Sequence, residues 1–62
     1  MYKCIDILRD EKGTILVYTL QDENGNVQNL EKGMLKPMMR QGAIQVSNLK
    51  LTRDNRIIVT KH

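Results

Sequence analysis

The chain contains no phenylalanine and no tryptophan, and its only aromatic residues are Tyr2 and Tyr18. Aromatic side chains bury the most apolar area, so the core has to be built from Ile, Leu, Val and Met. A single cysteine, Cys4, excludes an internal disulfide, and a single histidine, His62, leaves no metal-ligand pattern of Cys and His. The usual reinforcements of a very small domain are therefore missing. Sixty-two residues make one domain, 1–62, and a chain this short buries only about 60% of its unfolded surface. Self-association is the remaining reinforcement, and a homo-oligomer is expected, a dimer by the commonness of two-fold pairs. One unpaired thiol suits a reducing compartment. Charge interrupts the apolar residues of Met1–Asp6 too early for a signal peptide, and no apolar run reaches membrane-spanning length. The expectation is a cytoplasmic protein with no membrane partner.

The chemistry of sites is also sparse. Nucleophilic catalysis needs a nucleophile and a base within reach. Cys4 and His62 are the only pair of that kind, and Cys4 reads as a small buried hydrophobe. Ser47 is the only serine and has no base to serve it. The carboxylate pairs Asp10-Glu11 and Asp22-Glu23 fall in turns, where solvation explains them. The glycines at 13, 25, 33 and 42 are isolated, so no phosphate-binding loop is present. No enzyme and no cofactor are expected.

What is present is a pattern of strands around one helix. Residues 3 to 9 are rich in Ile and Leu and end at Asp10-Glu11-Lys12-Gly13, which suits a type I turn. Thr14 to Leu20 is full of β-branched residues and is the clearest strand. Asn24-Gly25 predicts a type I′ hairpin turn, with a short returning arm from Asn26 to Asn29. Asn29 suits a helix N-cap, and Gly42 suits the left-handed position past a helix end. The helix between them, Leu30 to Gln41, places Leu30, Met34, Leu35, Met38 and Met39 on one side. Pro37 falls inside it and cannot donate to the Gly33 carbonyl, so a kink at Gly33–Pro37 is predicted. Ala43 to Ser47 alternates, with Ile44 and Val46 on one face. Leu49 to Thr52 and Arg56 to Lys61 form a last hairpin around Asp54-Asn55. The fold class is α+β, a ββαββ-type domain of antiparallel hairpins around one kinked amphipathic helix.

Pairing Arg9 with Thr14 sets Ile7 against Leu16 and Ile5 against Tyr18, and with Leu20 these make a core face. The opposite face then holds Cys4, Leu8, Ile15 and Val17. In the last hairpin Leu51 opposes Ile58, with Ile57 and Val59 pointing the other way. One helix cannot cover both faces, so Leu8, Ile15, Val17, Ile57 and Val59 are the expected oligomer interface.

Charge is lopsided. Residues 1–29 carry three cations against five carboxylates, a net −2, while residues 30–62 carry seven against two, a net +5. Lys32, Lys36 and Arg40 recur every four residues and form one stripe on a helix. Lys50, Arg53 and Arg56 keep the following hairpin positive. The stripe is either a solvated outer face or a contact surface for something acidic. This half has no aromatic residue on which single-stranded nucleic acid would stack, whereas duplex binding through phosphates needs none.

The run Val46-Ser47-Asn48-Leu49-Lys50-Leu51-Thr52-Arg53-Asp54-Asn55-Arg56-Ile57-Ile58 resembles the ending of short proteins of Gram-positive phages and mobile elements. Their pattern reads Val-x-Asn-Leu-Lys-Leu-Thr-x-Asp-x-Arg-Leu/Ile-Ile. Tyr18-x-Leu20-x-Asp22-x-x-Gly25 and Gly42-x-Ile44 agree with it, so the likeness spans about residues 16 to 60. Asn55 stands where that family commonly has Gly, and Pro37 is atypical. The resemblance implies a setting and no activity: accessory proteins of mobile elements often bind host or element proteins, including defence machinery. The expected function is a non-catalytic protein-binding module, an inhibitor or regulator engaging an acidic partner surface through Lys32, Lys36, Arg40, Lys50, Arg53 and Arg56. The alternative is a small nucleic-acid-binding protein that contacts phosphates through the Lys32, Lys36 and Arg40 stripe.

Overall fold

A computed structural model describes residues 1–60. Five strands and one helix follow in the order β1 (Lys3–Arg9), β2 (Ile15–Gln21), β3 (Val27–Glu31), α1 (Lys32–Arg40), β4 (Leu49–Leu51) and β5 (Ile57–Val59). The first three form an antiparallel sheet in sequential order, and the last two form a separate antiparallel pair. This is the α+β arrangement of hairpins around one helix that the pattern predicts. The returning arm after the second turn is a full third strand. His62 and Lys61, and with them the Cys4–His62 pairing and the end of the last predicted strand, lie outside the described residues.

All three hairpins turn through loops of one kind. A type I turn ends in a residue at positive φ: Gly13 (85°), Gly25 (87°) and Asn55 (66°). The backbone bonds match, with Gly13 N–H donating to the Asp10 carbonyl at 3.0 Å, Gly25 to Asp22 at 3.2 Å and Asn55 to Thr52 at 3.1 Å. This is the three-residue hairpin closed by a left-handed bulge residue. Asn24-Gly25 is therefore not a type I′ turn, and Asn24 keeps negative φ. The reason is Asp22, whose Oδ1 accepts the N–H groups of Asn24 and Asn26, both at 2.9 Å. Asp10 does the same for Lys12 and Thr14, also at 2.9 Å. In the last loop, Thr52 Oγ1 accepts the Arg56 N–H at 3.0 Å. A short side chain at the first loop position that accepts one or two N–H groups from across the loop selects the turn, and the left-handed residue follows from it.

The register of β1 on β2 contains two bulges. Cys4 pairs with Leu20 and Asp6 with Thr19, which leaves Ile5 unpaired. Leu8 pairs with Val17 and Arg9 with Ile15, which leaves Leu16 unpaired. Each extra residue re-aims its neighbours. The predicted faces change accordingly. Ile5 and Leu16 are exposed, while Cys4 joins Tyr18, Leu20, Leu35, Ile44, Val46 and Leu49 in the buried core. Ile7, Ile15, Leu30, Met38, Met39 and Ile57 pack against that core. The outer sheet face keeps Leu8 and Val17, which pair directly, with Leu8 57% exposed. In the last hairpin, the three-residue loop sets Leu51 against Ile57 and Leu49 against Val59. Ile57 and Val59 thus share a face with Leu49 and Leu51, and Lys50 and Ile58 take the other.

The helix starts later than predicted. Asn29 sits in β3, where Thr19 Oγ1 donates to its Oδ1 at 2.8 Å. Glu31 occupies the N-cap without a side-chain hydrogen bond. Leu35 is the helix's buried residue, and Met34 turns to solvent at 53% exposure. Pro37 lies within the nine-residue helix and does not divide it into two turns. At the C-terminus, Gly42 N–H reaches the Met39 carbonyl at 3.1 Å and Ala43 N–H the Met38 carbonyl at 2.9 Å. With Gly42 at φ 74°, this is the Schellman end that the glycine predicted.

The segment after the helix returns along the free edge of β1. Tyr2 N–H donates to Gln45 O at 2.9 Å, and Ser47 N–H donates to Tyr2 O at 2.8 Å. One step on, a side chain replaces the strand: Cys4 N–H donates to Asn48 Oδ1 and Asn48 Nδ2 donates to Cys4 O, both at 2.8 Å. The Asn48 amide pairs with Cys4 as a peptide unit would. Its backbone carbonyl accepts Thr60 N–H at 2.9 Å, which ties in the end of the last hairpin.

Candidate functional site

The most highly charged concavity is a cleft of about 640 Å³ lined by Arg9, Gly13, Thr14, Ile15, Tyr18, Lys32, Lys36, Arg56 and Ile57. Three parts of the fold build it. The end of β1 and its turn supply Arg9, Gly13 and Thr14. One face of α1 supplies Lys32 and Lys36, one helical turn apart. The start of β5 supplies Ile57, with Arg56 just before it. Ile15 and Ile57 pack on the core and are the partly exposed apolar side chains of the lining, with Tyr18 buried behind them.

No carboxylate lines this cleft. Arg9 Nη1 donates to the Gly13 carbonyl at 3.0 Å, which holds the guanidinium against the first turn. Arg56 Nε pairs with Asp54 Oδ2 at 3.2 Å on an exposed surface, a pair of small energetic weight. Lys32 and Lys36 are half-buried and have no ion-pair partner among the described residues. Four like charges, of which only Arg56 has a carboxylate partner and that an exposed one, make a region of positive potential that attracts anions. Tyr18 is 1% exposed. Burial pushes its hydroxyl pKa up, with Cys4 adding to the rise and Arg9 opposing it.

The six cations singled out from sequence thus divide. Lys32, Lys36 and Arg56 meet in this cleft. Arg40 and Arg53 line a separate recess of about 350 Å³ with Leu51, Thr52 and Asn55, where Arg40 Nη2 donates to Asn55 Oδ1 at 2.6 Å. Lys50 is exposed on the far face of the last hairpin beside Ile58. Sequence reasoning missed Arg9, which belongs to the acidic half. The signal for it was the alternation of Ile7 and Arg9 along one strand.

Of the residues expected at an oligomer interface, Ile15 and Ile57 pack on the core and line the cleft. Leu8 and Val17 lie on the outer sheet face. Val59 is 55% exposed, beside Cys4, Ile5, Ile7 and Leu49 at a smaller opening along the β1 edge. Burial pushes the Cys4 thiol up, against the lowering effect of the Asp6 backbone. A buried thiol with raised pKa is a poor nucleophile. Among the described residues no group of His, Cys, Asp or Glu could hold a metal ion, and no helix is long and apolar enough to cross a membrane.

The fold and this cleft define a small α+β protein with a concave cationic surface. No protein-family model, no curated protein and no solved structure matches the chain.

Proposed function

We propose that this protein is a non-catalytic binding module that engages an acidic surface of a partner protein. The observation that carries this reading is the convergence of Arg9, Lys32, Lys36 and Arg56 on one cleft with no carboxylate in its lining. Such an arrangement accelerates encounter with an acidic partner and fixes its register. The likeness of Val46–Ile58 to the ending of short phage and mobile-element proteins supports an inhibitor or regulator of host or element proteins. The buried, unpaired Cys4 supports a cytoplasmic setting. The exposed Leu8 and its half-buried partner Val17 support self-association as a dimer, with Val59 contributing. Light scattering that finds a folded monomer at high micromolar concentration would remove the dimer from this reading.

Phosphate binding to duplex nucleic acid is the competing reading, because the same four cations would contact a backbone. A variant carrying Arg9→Gln, Lys32→Gln, Lys36→Gln and Arg56→Gln separates the two. Association with poly-glutamate and with duplex DNA is followed across a salt series for both proteins. The protein-binding reading expects slower poly-glutamate association by the variant and no DNA shift by either protein at near-physiological salt. DNA binding by the native chain that falls steeply with salt, and is lost in the variant, would replace it.

A further inference from the structure

We infer that the cleft takes an acidic peptide segment with an apolar anchor: one large aliphatic side chain against the half-buried Ile15 and Ile57, flanked by carboxylates that meet the four cations. The inference rests on the protein-binding reading above and adds what the partner segment must look like.

Three features carry it. The first is the composition of the lining, in which cations from three parts of the fold stand beside Ile15 and Ile57, two apolar side chains that are only partly buried. A phosphate backbone would use the cations and leave these side chains facing water. An aliphatic anchor uses both. The second is extent, since an open depression of about 640 Å³ is large enough to seat one anchor side chain and the charged residues beside it. The third is the state of the aromatics. Tyr18 is buried and Tyr2 half-buried, so neither offers a face on which an unpaired base would stack. The two arginines present planar donor forks that suit carboxylates, and the two lysines add charge that adapts to position.

The test uses the native chain and three probes: a short peptide with one Leu flanked on both sides by Asp and Glu, the same peptide with that Leu replaced by Ser, and a short duplex DNA. Binding is measured at near-physiological salt, with amide and methyl NMR shifts recorded alongside. The Leu peptide is expected to bind about tenfold or more tighter than the Ser peptide, the ratio that burial of one aliphatic side chain supplies. Its binding should shift the Ile15 and Ile57 methyl signals. Lys32→Gln with Lys36→Gln should weaken it about tenfold, while Arg40→Gln, at the other recess, should leave it unchanged. Equal binding of the Leu and Ser peptides would overturn the anchor inference and leave the acidic-partner reading standing. Tighter binding of the duplex than of either peptide, or binding of none of the probes, would overturn both.

Discussion

Strands β1 to β3 run five to seven residues each and bury Tyr18 and Leu20 beneath the helix. Strands β4 and β5 run three residues each, and of their six residues only Leu49 is fully buried. Both units are antiparallel and turn through the same kind of loop, yet they hold their places by different means. The first has a ladder across three strands, interrupted only by the two bulges of β1 on β2, and buries Tyr18 and Leu20. The second has too few rungs to stand alone and is fastened by Leu49, by the Asn48 amide on Cys4 and by the Thr60 bond to Asn48. A small chain with no disulfide can thus keep a short hairpin in place by lending it one polar clasp and one apolar plug.

The largest expected effect tests the stronger unit. Leu20→Ala removes a fully buried side chain from the centre of the core and should cost about 2–5 kcal/mol. For a chain this small that is most of its stability, and both units should unfold together in a thermal or denaturant melt. If β4 and β5 kept their amide protection while β1 to β3 lost theirs, the dependence of the second unit on the first would be wrong.

Asn48→Ala comes next and tests the clasp. It leaves the Cys4 N–H and carbonyl without their partners, and a loss of about 1–3 kcal/mol is expected. Hydrogen exchange should show protection falling first in β4, β5 and at Cys4, with the β2–β3 ladder least affected. Asn48→Asp keeps the acceptor but loses the donor and should recover only part of the difference.

Gly25→Val places a β-branched residue at φ 87° in the second turn and should cost about 1–2 kcal/mol. No atom lies near a Cβ built there, so the penalty is one of backbone and not of crowding. Gly25→Asn should therefore recover most of it, since Asn55 adopts the same conformation in the equivalent loop. A melting temperature unchanged by Val would show that the loop can turn another way.

The smallest effect concerns the helix that joins the two units. Pro37→Ala lets residue 37 donate to the Gly33 carbonyl, but it also loosens the unfolded chain. A gain of no more than about 1 kcal/mol is expected in a denaturant titration. A loss would show that the proline sets the approach of the helix to β4.

How far the sequence foretells this structure varies by element. The helix face of Leu35, Met38 and Met39 and the Gly42 end follow from spacing and from the single residue that tolerates left-handed backbone. The first turn follows from Asp10 and Gly13. The second was misread because Asn-Gly is a strong local signal, while the decision lies with Asp22 two residues earlier. The register of β1 on β2 was not legible, since the unpaired Ile5 and Leu16 look like any other apolar strand residues. That error moved Cys4 and Ile15 to the wrong side. It also hid the cleft, because a basic stripe read from the helix alone includes Arg40, which turns away, and omits Arg9, which arrives from another strand. A site assembled across three elements is set by tertiary register, and periodicity within one element does not carry it.

The clasp between Cys4 and Asn48 also bears on how the chain comes together in time. Its partners are 44 residues apart, and closing a loop of that length costs about 3 kcal/mol of chain entropy. The ladder of β1 to β3, by contrast, grows through two tight turns in an unbroken stretch of sequence. Local contacts form before distant ones, so those strands can pair before residues 44–48 find their place. The edge of β1 then stays open until Gln45, Ser47 and Asn48 close it. A strand edge left open in that interval can capture a strand from another chain.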